Sequence, residues 1–183
     1  MDPVKRKLRT EEFLRWVREQ PDTTRYELVH GEPVAMAPER VEHARVKHRV
    51  ARSLEDGIAA AGLSCEALPD GVGLTIDEHT IYEPDAMVVC DQEIDPDAVA
   101  VTDATVVVEV LSPSSRARDA GAKLEDYFRL ASLRHYLLVK TDTRAVIHHA
   151  RDEAGRITTT ILRSGALELD PPGLRVPLDA LFG

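Results

Sequence analysis

The sequence predicts a mixed α/β fold in which a sheet is flanked by helices. Three patterns carry that prediction. Thr105–Leu111 is a short β-branched apolar run, the kind buried on both faces of a sheet. Ile81–Val89 repeats it. Two stretches of helical period, from about Pro38 to Ala61 and from Arg116 to Ala131, lie before and after those runs.

The elements follow in order. Thr10–Val17 reads as a short amphipathic helix, with Thr10 as N-cap and Glu11 and Glu12 in the first turn. Gln20-Pro21-Asp22 ends it. Tyr26–His30 alternates, and Gly31 then Glu32–Met36 predicts a hairpin. In the first long helix Val46, Val50, Leu54 and Ile58 make one stripe, with His43 almost in line. Arg45, Arg49 and Arg52 share another face, and Gly62 is the C-cap. One strand lies within Ser64–Ile76, broken at Pro69-Asp70-Gly71. Asp91–Asp103 is an acidic loop. Ser114 or Ser115 caps the second long helix, whose apolar stripe is Leu124, Tyr127, Phe128 and Ala131. His135–Lys140 and Ala145–Ala150 form a strand pair, Arg156–Leu162 a further strand, and Pro171-Pro172-Gly173 opens a short closing segment.

A length of 183 residues without a repeat or linker predicts one domain over 1–183. No run approaches the ~18 apolar residues of a membrane span, and no signal peptide is visible. Cys65 and Cys90 stand in different segments without close spacing, so a disulfide and a cysteine zinc site are not expected, and the cytoplasm is the natural compartment. The net charge of −9 argues against a dedicated nucleic-acid binder. A local basic patch, or a metal that neutralises carboxylates, still allows approach to phosphates.

Glu109 lies inside its apolar strand, and Asp85 enters the Ile81–Val89 strand. A carboxylate there costs several kcal/mol unless something pairs with it. Two such groups on adjacent strands suit a hard divalent cation, since Mg²⁺ takes one or two carboxylates and keeps several waters. Glu109 paired with a buried Arg or Lys is the competing reading. Lys123 has two readings: an ion pair with Asp119 at i, i+4, or an inward group one turn before Tyr127 that reaches the end of the Glu109 strand. If it is inward and close to a metal, its removal should change stability little. Glu27 is either a solvated strand residue or a ligand, and His43 either a core histidine or a catalytic one.

Tyr26-Glu27-Leu28-Val29-His30-Gly31-Glu32, then His43, Glu83-Pro84-Asp85, Val108-Glu109-Val110-Leu111-Ser112-Pro113-Ser114, Asp119, Lys123 and Tyr127 resemble the Uma family of restriction-endonuclease-like proteins in the PD-(D/E)XK nuclease superfamily. The resemblance covers roughly residues 10–150. It implies a restriction-endonuclease-like α+β core, a mixed sheet flanked by helices, here with an N-terminal helix and hairpin. It also implies a metal-dependent endonuclease acting on DNA with Mg²⁺ or Mn²⁺. By motif Asp85 is the first acid and Glu109 the second, and the Val110 carbonyl is a third metal ligand. Leu111 stands where the superfamily places its Lys, and the family's displaced Lys maps to Lys123. Glu27 and His43 are second-rank site residues. At His135-Tyr136-Leu137-Leu138 this chain departs from the family's acidic residue and Tyr-Trp pair. A homodimer is expected, because double-strand cleavage with one site per chain needs two copies. The alternative is a nuclease-fold module without activity that binds nucleic acid or a protein partner.

Overall fold

The computed structural model describes residues 6–21, 23–111 and 117–183, with the backbone alone at 117–120. α1 (Thr10–Val17) precedes the hairpin β1 (Tyr26–Val29) and β2 (Glu32–Ala35). α2 (Val41–Ala61), β3 (Cys65–Pro69), β4 (Gly73–Asp77), β5 (Thr80–Tyr82) and β6 (Ala86–Cys90) follow. Then come β7 (Ala100–Val101), β8 (Val106–Leu111), α3 (Ala117–Tyr127), β9 (His135–Lys140), β10 (Ala145–Arg151) and β11 (Ile157–Leu162). β12 (Ala166–Leu169), β13 (Leu174–Pro177) and α4 (Leu178–Phe182) close the chain.

The central sheet has the order β11-β10-β9-β8-β6-β3, with β8 and β9 parallel and the other pairs antiparallel. A second sheet, β2-β1-β5-β4-β7, lies beside it, and β12-β13 forms a ribbon. Alternation along β8 divides the core in two. Val106, Val108 and Val110 face Val46, Val50, Leu54 and Ile58 of α2, together with β12, β13 and α4. Val107 faces the other way, among Leu74, Tyr82, Tyr127, Tyr136 and Leu138. Glu109, two residues on, shares that second face. A third cluster, Phe13, Leu28 and Ile81, seats α1 on the hairpin.

The expected mixed α/β architecture with flanking helices is present. Several boundaries differ, each for a physical reason. Arg9, not Thr10, is the N-cap of α1: Glu12 accepts from the Arg9 N–H at 3.0 Å, and the Thr10 hydroxyl donates instead to Asp77 O at 2.9 Å. The long apolar run is not one strand. Glu83-Pro84-Asp85 divides it, so β5 joins the second sheet and β6 the central one. Asp85 therefore stands at the mouth of a strand rather than inside it. The Ser64–Ile76 segment likewise divides at Asp70-Gly71 into strands of different sheets. Gly62 caps α2 with φ 62°, as its position predicts. Ser114 and Ser115 lie outside the described residues, as does the side chain of Asp119.

The cysteines also depart from expectation. β3 and β6 pair in a register that sets Cys65 opposite Cys90, and the two form a disulfide. Closing a loop of 25 residues contributes about 3 kcal/mol through the unfolded chain. Among the described residues no helix is long and apolar enough to cross a membrane.

A histidine pair sits on the far side of the central sheet. His135 Nε2–H donates to Pro171 O at 3.0 Å, so its Nδ1 accepts from His148 Nε2 at 2.9 Å. Burial, then the neighbouring His135 and His149, push His148 down to about 4. Unfolded histidine titrates near ~6.5. Between those values the unfolded chain binds a proton that the folded chain refuses. Stability is thus full above the window and falls as pH drops through it. Melting at pH 7 and 4.5 should show a loss on the order of 2 kcal/mol that His148→Asn reduces, while the buried His135 and His149, also pushed down, keep part of it. An unchanged loss in the variant would assign the acid sensitivity elsewhere.

Candidate active site

Strand register builds the site. β6 and β8 run antiparallel with Ala86 opposite Val108, so one step further sets Asp85 opposite Glu109. Glu109 points to the tyrosine-lined face, and Asp85 meets Lys47 and His43 from α2. The Val110 N–H at the end of β8 donates to Asp85 Oδ2 at 2.6 Å and locks the two strand ends together.

Each carboxylate already has a lysine. Lys123, from α3, donates to Glu109 Oε1 at 3.0 Å and to Glu27 Oε1 at 2.8 Å. Its ammonium also lies 4.8 Å from the Tyr82 ring centroid. Burial opposes that charge, but Glu109 and Glu27 outweigh it and raise the Lys123 pKa. The Tyr127 hydroxyl donates to the same Glu109 oxygen at 2.7 Å, and burial drives this phenol well above its ordinary range. Glu27 also accepts from the Glu83 N–H at 2.9 Å, which ties the hairpin to the strand break.

The second lysine is Lys47 of α2, only 5% exposed. It bonds Asp85 Oδ1 at 3.0 Å, Asp70 Oδ2 at 2.6 Å and Glu39. Burial again opposes the charge, and the three carboxylates overcome it, so its pKa is raised. Arg25 links Asp70, at 3.1 Å, to Glu83. Asp85 is pushed up to about 6, by burial first and the facing Glu109 charge second; Lys47 and the Val110 N–H oppose the shift. His43 Nε2–H donates to Val110 O and lies 3.9 Å from Asp85 Oδ2.

Asp85, Glu109, Lys123, Glu27, His43 and Val110 are therefore brought together. Arg45 and Arg52 are not: both are exposed, Arg52 lies 3.8 Å from Asp56, and Arg49 donates to Phe182 O at 3.2 Å. Sequence reasoning missed Lys47, Asp70 and Glu39, and gave Tyr127, a residue of the apolar stripe and of the family resemblance, no role in the site. A signal existed for Lys47, which falls one turn after His43 on the same helix face. Glu109 follows the competing reading, an ion pair with a buried lysine, and Asp85 has a lysine as well.

Among the described residues no three His, Cys, Asp or Glu side chains converge as a ready-made metal cage. The donor chemistry still fits a hard cation that keeps most of its waters. Asp85 and Glu109 offer oxygen only, and their mutual repulsion favours a positive charge between them.

The chain is similar to several known proteins. Residues 10–179 match the sequence model of the family described as "Uma2: Putative restriction endonuclease". Two proteins of Synechocystis sp. (strain ATCC 27184 / PCC 6803 / Kazusa), both described as uncharacterized, are similar. One, slr1290, is 29% identical over 96% of this chain and 92% of its own. The other, sll1609, is 28% identical over 73% of this chain and 76% of its own. A crystal structure from Anabaena variabilis ATCC 29413, titled a putative nuclease belonging to DUF820, superposes with a TM-score of 0.75. It is 14% identical and covers 96% of this chain and 97% of its own. That likeness shows the fold alone: the two chains share one arrangement of sheet and helices.

Proposed function

The chain belongs to the Uma2 family of restriction-endonuclease-like proteins, and from that premise we propose that it is a metal-dependent endonuclease that hydrolyses phosphodiester bonds in DNA. The observation that carries the reading is the pair of carboxylates, Asp85 and Glu109, facing each other across two strand ends with a lysine on each. Asp85, Glu109 and the Val110 carbonyl would hold Mg²⁺ or Mn²⁺. When bound, the ion supplies Lewis acidity toward the scissile phosphate and lowers the pKa of a coordinated water.

The chain's own groups do the rest. Glu27 and Glu109 keep Lys123 cationic, so it serves as a charge donor toward a phosphate oxygen rather than as a resting base. Tyr127 fixes the Glu109 carboxylate, and His43 fixes the Val110 carbonyl, so both carry orientation. Lys47 neutralises Asp85 from the α2 side. The protein acts as one domain, and two copies supply the two cuts of a duplex.

The runner-up is an inactive nuclease-fold module. The charge network favours it, because lysines already satisfy both acids without a metal. Calorimetry with Mn²⁺ on wild type and Glu109→Ala separates the readings. The proposal expects binding in wild type that weakens at least ~10-fold in the variant, since a carboxylate ligand is lost. Equal affinity in the two would remove Glu109 from the metal site. Metal-dependent cleavage of linear and supercoiled DNA would then exclude the inactive module.

A further inference from the structure

We infer that the outer edge of β11 is where two copies of this chain pair, strand to strand, about a two-fold axis through Thr159. The inference rests on the dimer reading above and gives it a surface.

Sheet edges are normally guarded by charge, proline, shortness or a bulge. In the second sheet, edge strand β2 carries Glu32 and Pro33, and β7 is two residues long. The opposite edge of the central sheet, β3, carries Glu66 and Pro69. β11 has none of these. It reads Ile-Thr-Thr-Thr-Ile-Leu, pairs with β10 in unbroken register, and is exposed from 157 to 161. Ile157 and Ile161 are 46% and 55% exposed and lie on the same face.

The backbone is set for pairing. The Asp152 N–H bonds Arg156 O at 3.0 Å, so hydrogen-bonded pairs of the β10–β11 ladder alternate from there. Ala150 with Thr158 and His148 with Thr160 bond each other. Ile157, Thr159 and Ile161 direct their N–H and C=O groups outward. The opposite side of β10 agrees, because the Arg151 N–H is spent on Arg134 O at 2.8 Å, across the β9 side.

What fits this edge is itself. Residues 157–161 read the same in both directions, Ile-Thr-Thr-Thr-Ile. Antiparallel pairing about Thr159 sets Thr159 against its own copy and Ile157 against the partner's Ile161. The three outward-facing positions become the hydrogen-bonded pairs, and the isoleucines meet as cross-strand pairs. Beyond the strand, the same axis sets Arg163 opposite Gly155 of the second copy and Leu162 opposite its Arg156. A ladder of this length is a small interface, which predicts dissociation in about the micromolar range. β11 lies three strands from β8, so the pairing leaves the Asp85–Glu109 site untouched.

The two cysteines of the chain are both in the disulfide, so Thr159→Cys adds the one free thiol. Mild oxidation should convert Thr159→Cys to a covalent dimer, because a hydrogen-bonded cross-strand pair has the ~5.5 Å Cα separation a disulfide accepts. Ile157→Cys alone should not cross-link, since its partner is residue 161. Light scattering at high micromolar concentration should find wild type dimeric. Ile161→Lys should be monomeric, with unchanged circular dichroism and Mn²⁺ binding. A wild-type monomer overturns the proposal and leaves the edge bare or open to a foreign strand. A dimer that persists in Ile161→Lys, without cross-linking at 159, overturns this interface while the dimer reading stands. Aggregates of mixed size would show an open edge rather than a closed pair, and also overturn it.

Discussion

Lys123→Ala is expected to lower single-turnover DNA cleavage by ~10²-fold or more, the scale of a positioned charge-stabilising group. Mn²⁺ affinity should stay within a few-fold, because an ammonium is not a ligand. The variant should also lose ~3–5 kcal/mol of stability, since Glu27 and Glu109 would remain half-buried around a missing cation. The expectation of little change in stability set the ammonium beside a metal; its two carboxylate partners point instead to a loss. Cleavage must therefore be measured well below the variant's melting temperature. Asp119→Ala, on the outward reading, is the control and should cleave like wild type. If Lys123→Ala also cleaves like wild type, its assignment as the displaced nuclease lysine fails.

Lys47→Met should have the largest effect on stability, ~3–5 kcal/mol or more, because one buried ammonium serves Asp85, Asp70 and Glu39 together. Its response to metal should be the reverse of its response to heat. Lys47 occupies Asp85 Oδ1, an oxygen that a cation at the site would share. With the ammonium gone, Mn²⁺ becomes the available counter-charge and should raise the melting temperature of the variant more than that of wild type. Melting curves with and without millimolar Mn²⁺ test this. Equal shifts in both proteins would mean that Lys47 and the metal do not share Asp85.

Local periodicity made much of the fold legible. β8 shows as a β-branched run, α2 as a four-residue stripe closed by Gly62, and β9–β10 as alternating segments around a turn. What stayed hidden was non-local. The run from Ile81 to Val89 is apolar almost throughout, so nothing but Pro84 hinted that it serves two sheets. The disulfide exists because β3 meets β6 in one register, and spacing along the chain carries no trace of that. β12 and β13 are four residues each, and β13 packs closely on α2: a Cβ at Gly57 of that helix would sit 2.5 Å from Leu174 Cδ1. The acids of the site were legible because a carboxylate among valines needs a reason. Lys47 was not, since a lysine on a helix is ordinary until Asp70 and Glu39, from two other segments, close around it.

The third small cluster has a consequence for how unfolding is observed. The chain has one tryptophan, Trp16, which stands edge-on to Tyr26 at 4.9 Å on the α1–hairpin cap, away from the two larger cores. Indole emission therefore reports whether α1 is seated, whereas ellipticity and the buried Tyr82–Tyr127–Tyr136 group report the central sheet. This cluster, three buried residues with five partly buried ones around them, is smaller than either main core, so the cap is expected to open at lower free energy than the sheet. A fluorescence transition that precedes the circular-dichroism transition would then be the cap leaving first, and a two-state fit to either signal alone would misstate the stability of the central sheet.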